Sequence, residues 1–258
     1  MAPQSKKNKP VTVSIITVCW NNVATIGRTL KSVSAQDWPH VEHIVVDGAS
    51  SDGTQDIVAS CGAHVARFVS EPDMGIYDAM NKGILLATGD VIGFLNADDY
   101  YPTASTLRSV ADSFAAHSVD AVLGDVAFFR AKAPHRSIRR YDSGRFRPSR
   151  IAWGWMPAHP AMFLRREVYQ RFGLYRTDFR IAADFEFVAR AFGSGSLNYW
   201  HLPEVVVAMQ MGGVSTQGLR STVIINREIV RACRANGIST NLPKILTKYV
   251  VKVLEFVR

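Results

Sequence analysis

The stretch that most constrains this chain is Val91-Ile92-Gly93-Phe94-Leu95-Asn96-Ala97-Asp98-Asp99-Tyr100, an apolar run that stops abruptly at two carboxylates. The run is short and rich in β-branched and aromatic residues, so it reads as a strand buried on both faces. Such strands belong to mostly parallel sheets. Open α/β sheets bind ligands beyond the carboxyl ends of their strands, where Asn96, Asp98 and Asp99 fall. Two adjacent carboxylates repel and need a cation, a proton or solvent to offset the repulsion. A hard divalent ion carrying phosphate oxygens fits, because Mg²⁺ is commonly held by one or two carboxylates plus the phosphates. A solvated turn or a helix N-cap accounts for an isolated Asp-Asp equally well.

The same pattern recurs along the first half. Residues 11–18 (VTVSIITV) form a strand signal broken by Asn21-Asn22, and a helix follows with Ile26, Leu30 and Val33 on one face. His43–Asp47 is a second strand ending in a carboxylate, and residues 48–54 supply a turn and helix caps. A helix to about Ser60, a strand at 65–69 and a helix from Met74 through Ala87 come next, with Met80, Ile84 and Ala87 on one face of the latter. Pro102 suits the first turn of a helix ending near His117, and Ala121–Val126 is a fifth strand. Beyond it the pattern is mixed: a strand at 161–164, helices at 165–172, 182–192 and 221–236, a strand at 205–209 and a hinge-like loop at Gly212-Gly213. Strands alternating with helices predict an α/β fold with a mostly parallel, Rossmann-like central sheet flanked by helices. We read one domain over 11–240, regular over 11–125 and mixed over 126–220, with a polar, basic, disordered start at 1–10 and a terminal helix at 241–258.

Composition narrows the class. No apolar stretch is long enough to span a bilayer, and the first ten residues lack a secretory apolar segment. Cys19, Cys61 and Cys233 form neither a zinc pattern nor a disulfide framework, which points to a reducing cytoplasm. The net charge is +8, and residues 130–150 carry nearly all of it, with eight basic side chains against Asp142 alone. A basic patch of this kind faces either solvent or an anionic partner. Trp153 and Trp155 lie in a loop-like setting, as a platform for a sugar face, an interfacial anchor or core. In the tail, Leu242, Ile245, Leu246, Tyr249, Val250, Val253 and Val257 share one stripe, and Lys244, Lys248 and Lys252 share another. This basic amphipathic helix either lies on an anionic membrane or packs on the domain.

Acidic strand ends thus converge: Asp47, Asp98 and Asp99. A carboxylate accepts hydrogen bonds, so Asp47 could read the ring N–H of a uracil, thymine or guanine, with Lys82 adding positive charge nearby. No G-x-G-x-x-G follows the first strand and no P-loop pattern occurs.

The segments VSIITVCWNN (13–22), IVVDGASSDGT (44–54), SEPDMGIYDAMNKGILLATGD (70–90), FLNADDYY (94–101), HPAMFLRR (159–166) and AADFEF (182–187), in this order, resemble the inverting family 2 glycosyltransferases of GT-A fold that build bacterial cell-surface polysaccharides. The resemblance covers roughly residues 11–215. It implies a nucleotide-sugar half (11–125), an acceptor half (126–220), a UDP-, GDP- or dTDP-sugar donor, a divalent cation (Mn²⁺ or Mg²⁺) and a glycan or polyprenyl-diphosphate-linked acceptor. It further implies that Thr17 and Val18 line the nucleotide pocket, that Asp47 contacts the base, and that Asp73, Asp78 and Lys82 lie near the donor ribose or sugar. Asn96-Ala97-Asp98 stands where the family has D-x-D, with Asp98 as metal ligand, Asn in place of the first Asp, and Asp99 compensating. Asp184 matches the catalytic base and Glu186 is the alternative. His159, Trp155 and the Gly212-Gly213 loop are further site candidates, His159 and the loop closing on the diphosphate. Two other readings fit the carboxylates alone: a glycosidase using Asp98 and Asp184, and a non-catalytic nucleotide-sugar or polyanion-binding module. No nucleic-acid module accompanies the basic stretch. Peripheral contact with the inner face of the cytoplasmic membrane, through 130–150 and the tail, is expected.

Overall fold

A computed structural model describes residues 10–130, 133–211 and 218–254. The predicted disordered start falls outside them except for Pro10, as does the Gly212-Gly213 loop. One sheet contains β1 (Val13–Cys19), β2 (Val41–Asp47), β3 (Val65–Ser70), β4 (Val91–Phe94), β5 (Ala121–Arg130), β6 (Ala133–Tyr141), β7 (Met162–Arg165) and β8 (Tyr199–Gln210). Its order is β3-β2-β1-β4-β7-β5-β6, and β8 pairs with β5. The first four strands are parallel. β7 is inserted antiparallel between β4 and β5, and β6 closes the edge antiparallel to β5.

Period-two alternation explains why these segments pair. Ile16 and Val18, Ile44 and Val46, Ile92 and Phe94, and Met162 and Leu164 face one core. Their neighbours Ile15, Val91 and Phe163 face a second core, and Cys19 and Val45 a third. A sheet buried on both faces admits polar side chains in its strands only where they find partners, as Thr17 and His43 do with each other. Helices cover both sides. α3 (Ile76–Leu86), α5 (Arg166–Phe172), α6 (Ala183–Phe192) and α7 (Gly218–Ala235) pack on the first face. α1 (Ile26–Ser34), α2 (Thr54–Cys61) and α4 (Thr106–Ala116) pack on the other. α8 (Leu242–Leu254) lies against α7 and the 3₁₀ turn Pro148–Trp153. α3 approaches β1 closely enough that a Cβ at Gly83 would lie 2.4 Å from Ile16 Cγ2. No described helix is long and apolar enough to cross a membrane.

One expectation is corrected and two segments left open by the sequence gain detail. Pro102 precedes α4 in a turn, and the helix begins at Thr106. The basic stretch contains the edge strand β6, and part of its charge is engaged: Arg140 binds the buried Asp125 at 2.6 Å, Arg145 lies 3.4 Å from Asp142 and Arg139 lies over the Phe128 ring. In the tail helix Lys244 and Lys248 lie against the protein. Lys248 is buried, Lys244 sits 4.7 Å from the centre of the Trp153 ring, and Leu242 and Leu246 are exposed.

Candidate active site

Parallel pairing brings the ends of β1 to β4 to one edge of the sheet, and the Asn96–Asp99 turn leaves β4 there. Helix α1 holds that turn by its carbonyls. Thr29 Oγ1 donates to Asp99 O at 2.7 Å, and Arg28 Nη2 donates to Asp98 O at 2.8 Å and to Gln210 Oε1 at 3.1 Å. The Arg28 guanidinium lies 5.0 and 4.9 Å from the ring centres of Tyr100 and Phe129.

The two carboxylates of the turn have different surroundings. Asp99 is buried, its Oδ1 accepting from Gln210 N at 3.0 Å and its Oδ2 from Asn96 Nδ2 at 3.4 Å. Asp99 therefore fixes Asn96 and the end of β8 through one hydrogen bond on each oxygen. Asn96 Oδ1 is left buried with no hydrogen-bond partner. Asp98 is half-buried and has no ion pair among the described residues. Burial raises the pKa of both carboxyls; the Asp98 charge raises Asp99 further, and Arg28 opposes both shifts. The unpartnered Asn96 amide oxygen and the unpaired Asp98 carboxylate, with one residue between them, are oxygen donors of the kind that Mg²⁺ or Mn²⁺ takes. Ala97 between them is a buried core spacer. A separate group, Asp125, Asp142 and His201, has ligand atoms within 4.8 Å of one another. There the Asp125 oxygens already accept from Arg140, Ser143 N and His201, so that cluster is satisfied without an ion.

On the donor side, Asp47 is fully buried. Its oxygens accept from Ser50 N at 2.9 Å, Ser70 Oγ at 2.6 Å, Cys19 Sγ at 3.5 Å and, in a short bond, Ser50 Oγ. With all these positions taken, a base N–H reaches Asp47 only by displacing a hydroxyl. Thr17 does not line a pocket: it is buried and bonded to His43 at 3.0 Å, while Val18 faces the core. Asp73 accepts from Gly75 N at 2.8 Å and lies where a Cβ at Gly48 would meet it at 2.6 Å. Asp78 accepts from Met74 N at 3.1 Å. Lys82 stands 2.8 Å from Glu71 and 3.6 Å from Asp78, so its charge is neutralised at the rim. Trp20, 67% exposed at the tip of β1, stands beside Gly48.

Asp184 occupies the first turn of α6. Its Oδ1 accepts from Tyr77 Oη at 3.2 Å and from Phe185 N at 2.8 Å, which leaves Oδ2 open. Burial raises its pKa, opposed first by His159 and then by those two donors. His159 stacks on Phe94, the last residue of β4, with centroids 5.3 Å apart, and shares a 2.9 Å hydrogen bond with Tyr175. This contact ties the Asp184 region to the strand that carries Asn96 and Asp98. Burial lowers the pKa of His159, opposed by the Asp184 carboxylate. Glu186 does not join the site. It is buried and paired with Arg190 at 3.0 Å. Trp155 is half-buried, and the exposed indole of the pair belongs to Trp153.

Sequence reasoning missed Tyr77, Arg28, Trp20 and Glu228. Glu228 on α7 accepts from the backbone N–H groups of Arg180, Ile181 and Ala182 at 2.7, 2.9 and 2.9 Å. The single Tyr77 hydroxyl proton is shared between Asp184 Oδ1 and Ile181 O, the latter at 2.6 Å. Together they fix the segment that delivers Asp184. A polar residue in an otherwise apolar helical stripe was the only signal for Tyr77. For Glu228 and Arg28, whose partners are backbone groups of distant segments, there was none.

The family model described as Glycosyl transferase family 2 matches residues 14–173. The chain belongs to this family. A PGL/p-HBAD biosynthesis glycosyltransferase of Mycobacterium bovis is 31% identical over 246 residues, covering 94% of this chain and 92% of that protein. An uncharacterized glycosyltransferase of Mycobacterium tuberculosis is 32% identical over 196 residues, 70% of this chain and 68% of that one. Among solved structures, Staphylococcus aureus TarS 1-349 in complex with UDP-GlcNAc superposes with a TM-score of 0.69 at 20% identity, over 86% of this chain and 66% of that one. The mannosyltransferase PcManGT of Pyrobaculum calidifontis, in complex with GDP-Man and Mn²⁺, gives 0.60 at 20% identity, over 96% and 81%. The fold is GT-A, and this glycosyltransferase has the mixed α/β sheet that its sequence predicted.

Proposed function

We propose that the chain is an inverting transferase that moves a sugar from a nucleoside-diphosphate sugar to a hydroxyl of a glycan or lipid-linked acceptor, with Asp184 as general base. The observation that carries this reading is the Asp184 carboxylate. It is desolvated, its pKa is raised, it is held through Oδ1, and its Oδ2 is open beside the strand end that carries Asn96 and Asp98. The acceptor hydroxyl gives its proton to Oδ2 as its oxygen attacks the anomeric carbon. The bond from that carbon to the diphosphate oxygen breaks, and one displacement inverts the centre. A raised carboxyl pKa brings the base closer to working pH, and general base help contributes typically ~10²–10⁴-fold. Tyr77 and Glu228 hold the carboxylate in line, which supplies orientation.

Asp98 and Asn96 Oδ1 would hold Mn²⁺ or Mg²⁺, and the cation would supply Lewis-acid stabilisation of the leaving diphosphate. Support comes from the oxygen donor pair and from the Mn²⁺ and GDP-Man of the Pyrobaculum neighbour. A UDP-, GDP- or dTDP-sugar is the donor class. The exposed Trp20 face offers stacking to the base, and the Asp47 carboxylate, with Ser50 and Ser70, shapes the wall behind it. Three free cysteines support a reducing, cytoplasmic setting.

Asp184→Asn removes the base while keeping the side-chain volume. Donor binding, followed by thermal shift with UDP, GDP or dTDP and Mn²⁺, should persist, while transfer falls ~10²–10⁴-fold. Transfer at the wild-type rate would remove Asp184 from its role.

A further inference from the structure

We propose that the outward face of α7, continued by Leu242 and Leu246 of α8, is a docking surface for an anionic membrane. Arg220, Val223, Arg227, Arg231 and Arg234 recur at three- and four-residue spacing, which aligns them along one side of the helix. All five are exposed. Glu228 is the only acid in α7, and it is turned inward onto the 180–182 backbone, so nothing on the helix offsets the arginines. Arg231 is tied to Asp178. Arg220, Arg227 and Arg234 have no ion pair among the described residues.

Arg227, Arg231 and Arg234, with Val230, Ala235 and Leu242, line an open depression of about 630 Å³ where α7 meets α8. Beside it Leu242 and Leu246 are 46% and 43% exposed. In a helix whose Ile245 is fully buried, two outward leucines are not needed to hold α8 on the protein. Guanidinium groups interleaved with aliphatic side chains match the boundary of a bilayer, where phosphates lie above acyl chains. The apolar members favour a membrane over a nucleic acid, whose backbone offers them nothing. The expected membrane surface thus moves from the tail, where Lys244 and Lys248 lie against the protein, to the arginines of the preceding helix.

The surface goes beyond the transfer reaction and is tested without it. The full chain is sedimented with vesicles of phosphatidylglycerol mixed with phosphatidylcholine, and with phosphatidylcholine alone. The wild type should pellet with the anionic vesicles only, less so as salt rises. The pairs R227E/R234E and L242S/L246S change exposed side chains, and each should lower partitioning on the order of 10-fold or more. Stabilisation by UDP and Mn²⁺ should be unchanged in both, so a failure here is distinguishable from a failure of the donor site. Wild-type protein that stays in the supernatant, or an R227E/R234E variant that partitions like wild type, overturns the proposal. Capture by an acidic polypeptide without vesicle binding overturns it in favour of a protein partner.

Discussion

Asp184 shows how one side chain acquires its properties from its surroundings. Desolvation favours the neutral acid, while the Tyr77 hydroxyl stabilises the carboxylate through a hydrogen bond. A base acts only when deprotonated. Activity should therefore fall as pH falls through a value above the ordinary aspartate range. Tyr77→Phe deletes a donor to the charged form, so the acid limb of kcat/KM should move to higher pH, with donor affinity preserved. An unmoved limb would mean that the Tyr77–Asp184 bond is absent in solution. Glu228→Gln places an amide N–H₂ against backbone donors that the carboxylate now satisfies. The expected result is a lower kcat with donor KM unchanged, read from initial rates; equal losses in binding and turnover would point to general unfolding. Asp98 and Asp184 were legible because acids at strand ends and helix starts stand out in a sequence. The backbone donor that engages Asp99 was not, since Gln210 lies 111 residues along the chain; the Glu186–Arg190 pair is local, one helical turn apart, and was open to a reading of i,i+4 charges.

At the scale of elements, apolar alternation made the buried strands readable, and helix periodicity found α1, α3 and α6. β6 escaped because an edge strand carries charges by necessity: it must discourage pairing with another chain. Two of its arginines are held, Arg140 by Asp125 and Arg139 over the Phe128 ring of β5. α8 is a helix as expected, with Ile245 of the apolar stripe buried; Lys248 is buried beside it because its stem packs along Gly154 as an aliphatic chain would. The loops after β1 and β2 are laced together. Asn21 N donates to Ser50 Oγ, Asn22 N to Thr54 Oγ1 and Ser51 N to Asn21 Oδ1, at 2.8, 2.8 and 3.0 Å. Within that lacing Ala49 is held at φ 58°, a left-handed conformation that an L side chain resists. Ala49→Gly should raise stability in denaturant melts by ~1 kcal/mol, the relief of strain exceeding the entropy cost of glycine. A loss of stability would mean that the loop relaxes out of this conformation.

For the whole molecule, the sheet joins two sources of chemistry at one edge. β4 carries the oxygen pair, and β7, the 159–161 turn and α6 bring His159 and Asp184 to it. Concentrating buried acids there carries a cost. Asp98, Asp99 and Asp184 all bind protons more tightly folded than unfolded. Their contribution to stability is therefore fully present below the unfolded carboxyl range and declines as pH rises through the folded values. A cation at Asn96 and Asp98 would offset this repulsion. At 100-fold excess over its Kd, a ligand bound to the folded state alone adds ~2.7 kcal/mol. The most direct test is a thermal melt with Mn²⁺ and UDP, GDP or dTDP, comparing wild type, Asp98→Ala and Asp142→Ala. The account predicts that one nucleotide with Mn²⁺ raises Tm in wild type and in Asp142→Ala, and that the rise disappears in Asp98→Ala. A rise that survives in Asp98→Ala, or that is lost in Asp142→Ala, would contradict it.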